Sequence, residues 1–193
     1  MSPSCNATVT TALEHEHRSV DTVVEAISTI ADDLEQGRRI DPSLPHEVVF
    51  FLRVFADQCQ TAKEDSLLFP ALEAKCMSPA TCLIEGLKND HERASWLTLE
   101  LLKAADSYAA GHASARTPLA RTLRDLAALY REHIWKEDYL ILPLAEKVLA
   151  QEEQEMLSRA FQGVETAISS DDVASRIAKH AQRCQCHVGE VFS

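Results

Sequence analysis

The chain has 193 residues, enough for a domain with a sizeable core, and a formal net charge of −11, which argues against nucleic acid as a partner. With 46% hydrophobic residues, 25% charged residues and only five glycines, the composition is that of a helix-rich globular protein. No apolar run approaches the ~20 residues of a membrane span. The opening MSPSCNATVTTALEHEH lacks the pattern of a secretory signal, so the six cysteines read as thiols or ligands and the expected compartment is the cytoplasm.

Apolar residues recur at helical spacing along nearly the whole chain, and no stretch alternates as a strand does. The first helix is predicted from about Thr10 to Gln36, stopped by Gly37. The second starts near Pro45, a residue suited to a first turn, and is broken at KCMSPAT, where Ser78 is placed as N-cap and Pro79 as the first helical residue of the third. The third ends near Ala110, before Gly111, and the fourth runs from about Pro118 past Pro143 to about Leu149. A short helix around Glu152–Phe161 and a last one from Val173 complete the chain. Four long helices joined by short turns predict an all-α, up-down-up-down four-helix bundle over 10–150, with residues 151–193 as a helical extension packing on it or trailing from it.

The bundle contains a repeat. LEHEH (Leu13–His17) matches LKNDH (Leu87–His91) at a shift of 74 residues, and KEDSLLFP matches KEDYLILP at a shift of 73, as two copies of one helical hairpin would. Folding the copies together brings His17, Glu64, His91, His133 and Glu137 from four helices towards a shared axis. His133 and Glu137, four apart, lie on one helix face and can reach a common metal. Mixed imidazole and carboxylate donors suit iron, manganese or zinc rather than calcium or magnesium. Buried carboxylates without a partner are costly, so something positive must face Glu64 and Glu137. A metal is one answer; an ion-pair network with Lys63, Lys136, Arg18 or Arg93 is the other.

These motifs, EH on the first helix, KEDSLLFPALE on the second, DH on the third and HIWKED on the fourth, together resemble the hemerythrin-like, or HHE cation-binding, domains. The resemblance implies a four-helix bundle with a non-haem di-iron centre that interacts with dioxygen, nitric oxide or peroxide. It implies His17, His91 and His133 as ligands and Glu64 and Glu137 as bridging carboxylates. Two positions depart from it. Gln60 stands where the family carries a histidine, with Thr61 beside it, and Ser95, four residues after His91, replaces the extra histidine of the invertebrate oxygen carriers.

An amide oxygen is a far weaker donor to iron than an imidazole, so Gln60 predicts a looser metal position on the His17 side, or a mononuclear site. Asp21 and Glu14, near His17 in sequence, are candidate neighbours, while His15 and Cys59 point elsewhere round their helices. A second zinc or redox site is a further candidate at His180, Cys184, Cys186 and His187. Cys76 and Cys82 flank a turn and can pair if oxidised, His46 and His112 are placed as exposed helix-end residues, and Trp96, Trp135 and Tyr139 are placed as core or rim packing. The sequence therefore predicts a non-haem iron protein acting on a small diatomic ligand or peroxide in sensing or detoxification. The alternatives are an interaction or redox-sensor module with a degenerate metal site, and a small-molecule oxidase or peroxidase-like enzyme.

Overall fold

The computed structural model describes residues 8–75, 79–164 and 169–186; these are helices joined by short turns, with no strand among them. Helix α1 spans Val9–Glu35; α2 runs continuously over 44–73; α3 spans Pro79–Ala109; α4 runs over 116–148, entered through a 3-10 turn at Ala113–Ala115. Two shorter helices follow, α5 (Gln151–Gln162) and α6 (Ser170–Cys186). Thr8 caps α1 by accepting from the Thr11 amide. Gly37 (φ +79°) and Gly111 (φ +83°) take up the left-handed conformation after α1 and α3, which stops both helices as predicted. The Arg38 amide then returns to the Asp33 carbonyl and the His112 amide to that of Ser107. Pro79 does open α3; the Ser78 cap and the Cys76 half of the Cys76–Cys82 pair lie outside the described residues.

Two prolines sit inside long helices, and the backbone accommodates both in the same way. At Glu64–Leu68 and again at Glu137–Ile141 the helix widens to π geometry, and the Phe69 and Leu142 amides bond to the Glu64 and Glu137 carbonyls five residues back. Pro70 and Pro143 follow at once. A proline brings no N–H and presses on the carbonyl four residues before it, and the wider turn relieves that contact. Leu52–Thr61 of α2 is π-helical as well.

α1 packs along α4, α3 along α4, and α2 against α3, while α6 lies against α1 and α2. The apolar faces form two cores. The larger runs through Ile27, Ile30, Phe51, Leu101 and Leu123 and takes in Val173, Ala174, Ile177 and Ala181 of α6. The smaller, at the other end, gathers Leu13, Leu68, Phe69, Ile84, Leu87, Ile141 and Leu142, with Phe161 of α5 closing it. Between them lies a thin layer of buried polar residues: His17, Gln60, Lys63, Glu64, His91, His133 and Glu137. No described helix is long and apolar enough to cross a membrane.

Candidate metal centre

Helical registration explains why these residues meet. His17 and His91 occupy matching positions on α1 and α3, and Glu64 and Glu137 matching positions at the two π turns, so the hairpin repeat becomes an approximate two-fold arrangement of side chains. Glu64, His91, His133 and Glu137 form one compact group, each offering a ligand atom within 4.8 Å of the others. Within it, His91 Nε2 lies 3.1 Å from Glu64 Oε2, His133 Nε2 lies 3.4 Å from Glu137 Oε2, and the two Nε2 atoms are 3.2 Å apart. Two donors about 2.1 Å from one ion and at right angles lie about 3 Å apart, so these spacings fit a shared cation. His17 joins from the side, its Nε2 3.2 Å from Glu137 Oε2.

The Nδ1 edges of the rings face outward to acids. His91 Nδ1 is 3.0 Å from Asp65, His17 Nδ1 is 2.6 Å from Asp138, and His133 Nδ1 is 3.7 Å from Asp90, an ion-pair distance too long for a hydrogen bond. An acid on Nδ1 fixes the ring so that Nε2 presents its lone pair inward, as in histidines that ligate metals. These three aspartates are the part of the site that sequence reasoning missed. Their signal was present: two are the final residue of KED, and the third precedes His91.

The electrostatics leave a positive charge to be supplied. Glu64 Oε2, both carboxylate oxygens of Glu137 and His17 Nε2 are buried with no hydrogen-bond partner. The alternative of a lysine or arginine network fails here. Lys63 is tied to Glu16, Lys136 to Asp90 (3.0 Å) and Glu132 (2.9 Å), Arg18 lies against His15, and Arg93 is exposed. The neighbouring acids favour protons on His17 and His91 instead. Burial opposes protonation of His17, but its hydrogen bond to Asp138 and the charge of Glu137 outweigh this and push it up to about 10. Burial likewise opposes His91, and Glu64 beside it pushes it up to about 9. Burial raises the Glu64 carboxyl, and the His91, His133 and His17 rings more than reverse this, holding it well below the usual carboxylate range. Such a site matches a cation that takes the place of those protons.

The remaining candidates are placed as follows. Gln60 is buried beside the group and donates from Nε2 to Glu64 Oε1 at 3.1 Å. Asp21 and Glu14 are at the surface, outside the compact group, although partial burial raises the Asp21 carboxyl and the charge of His17 draws it back. His15 is exposed and 3.1 Å from Asp171. His180 lies between Asp41 (3.2 Å) and Glu47 (3.3 Å), bracing α6 on the bundle. The side chains of Cys184 and Cys186, and the whole of His187, fall outside the described residues. His112 is exposed, whereas His46 is half-buried against Asp106. Trp96, Trp135 and Tyr139 are not packed in the core; they are 54–68% exposed, and Trp135 stacks on Tyr139 at the surface. Trp135 points away from the axis because His133 and Glu137, two residues to either side, point inwards, and Tyr139 does so because Glu137 lies two residues before it.

No curated protein and no solved structure gives a significant match to the chain. The family model of the hemerythrin HHE cation binding domain matches residues 8–145, the stretch that contains all four long helices almost entire and every member of the buried polar layer. The chain belongs to the hemerythrin HHE cation-binding family.

Proposed function

We propose that this protein holds non-haem iron in the buried polar layer and engages a small diatomic ligand or peroxide there, in sensing or detoxification. Glu64, His91, His133 and Glu137 hold one ion. His17, sharing Glu137, starts a second position that Gln60 completes only weakly. The observation that carries this reading is the compact four-residue group, whose buried carboxylate oxygens face histidines and no lysine or arginine. Iron bound there supplies redox chemistry and an exchangeable position; zinc or manganese suits the same donors.

The chain's own residues do the rest. Asp65 and Asp138 aim the His91 and His17 imidazoles by hydrogen bonds, and Asp90 faces His133 at ion-pair distance. Glu64 and Glu137 provide the negative charge that balances the cation. The apolar floor of Leu68, Phe69, Ile141 and Leu142 shuts the layer off from water on one side, and Leu97, Leu129 and Ile134 belong to the core on the other.

Reconstitution of the full chain with ferrous iron under anaerobic conditions, followed by removal of loose metal and elemental analysis, tests the reading. One ion per chain is expected to survive a competing chelator, with a second present only when chelator is absent. A chain that retains no iron would overturn it.

A further inference from the structure

Two cavities approach the polar layer from opposite sides, and they differ in what they reach. One, of about 260 Å³, opens between α1, α2 and the start of α6 and is lined by Phe51, Phe55, Cys59, Gln60 and Lys63. None of the five candidate ligands lines it. The other, of about 220 Å³, lies between α2, α3 and α4; Asp57, Ser95, Thr98 and Tyr130 line it, and so does His91 itself. Beneath it is a void of about 10 Å³ bounded by His91, His133, Gln60 and Tyr130.

We propose that the exchangeable ligand enters by this second cleft and reaches the His91–His133 position, with Ser95 leaving the way open and Tyr130 as hydrogen-bond donor. The inference rests on the metal-binding reading above and assigns the open face of that site. This face lies away from the His17 side, where Gln60 alone predicts the looser metal position. Ser95 is one helical turn beyond His91, on the same face. Any long side chain there would occupy the cleft, but the serine is small and donates to Asp57 across the mouth at 3.2 Å. Tyr130 is buried and lines both the cleft and the inner void, as do Thr61, His91 and Ala94. The Tyr130 phenol is a hydrogen-bond donor at neutral pH. The inner void has room for about one water-sized group. The ligand class is therefore a diatomic or a linear triatomic that places one acceptor atom in the void and extends into the cleft, not a bulky organic substrate.

Azide is the probe, titrated spectroscopically into the iron-loaded full chain with iron content measured on every sample. Ser95→Phe, at an exposed position, is expected to weaken azide at least about tenfold with iron content unchanged, and Leu99→Trp at the mouth of the same cleft to slow its association. Tyr130→Phe, which keeps the ring, is expected to weaken azide about fivefold, the loss of one hydrogen bond. Cys59→Met, in the opposite cavity, is expected to leave azide binding unchanged. Iron-loaded protein that binds azide equally well with Ser95→Phe and Leu99→Trp, that loses azide with Cys59→Met, or that binds none at all, would overturn the proposed route while leaving the metal site standing. Native chain that retains no iron would overturn both.

Discussion

The two hairpins, α1–α2 and α3–α4, are built on one plan, and their pairings correspond almost one for one. Asp65 backs His91 as Asp138 backs His17; Glu64 meets His91 at 3.1 Å as Glu137 meets His17 at 3.2 Å; Lys63 pairs with Glu16 as Lys136 pairs with Asp90. The correspondence breaks at one position of the buried polar layer, where α4 carries His133 and α2 carries Gln60. It breaks again one turn earlier, where α4 has Tyr130 and α2 has Asp57. A repeated scaffold can thus keep its orienting acids while one half loses donor strength. The comparison also says which carboxylate matters most: Glu137 touches both His17 and His133, whereas Gln60 leaves Glu64 with only His91 among the imidazoles in close contact.

The largest effect is expected from removing the carboxylate that both halves share. Glu137→Ala should abolish iron retention and, in the metal-free chain, cost about 3–5 kcal/mol in urea unfolding, because it leaves buried histidines without their acid. Glu64→Ala should cost less, and equal losses would contradict the asymmetry. Restoring the symmetry is the next test. Gln60→His should raise chelator-resistant iron from one ion per chain to two, and His133→Gln should remove the tight ion; unchanged counts in both would show that position 60 does not limit the second site. The orienting acids come third. Asp65→Asn should weaken the tight ion by about 10–100-fold in chelator competition, and Asp138→Asn should act chiefly on the weaker His17 position. The smallest effects belong to the lysines. Lys63 is fully buried and lies over the Phe161 ring, while Lys136 is 23% exposed. Lys63→Met should cost about 1–3 kcal/mol and Lys136→Met about 1 kcal/mol or less, measured by denaturant unfolding.

Much of this molecule was legible before any coordinates. Helical period, the stops at Gly37 and Gly111, and the offset of the two KED motifs are local or one-dimensional signals, and they determined the all-α bundle, its four long helices and the group of residues facing its axis. Helix propensity and periodicity act within a few residues, so a single sequence exposes them. What only the tertiary structure decided is which charges meet across helices. Lys63 and Lys136 lie next in sequence to Glu64 and Glu137 yet pair with Glu16 and Asp90 on neighbouring helices. The π turns, which relieve Pro70 and Pro143, set the backbone at the two glutamates. Trp135 and Tyr139 are aromatic but face water, because the same stretch of α4 commits its inward face to His133 and Glu137. The docking of α6, the cleft at Ser95 and the placement of Tyr130 depend likewise on how helices distant in sequence cross and pack, which no spacing within one helix records.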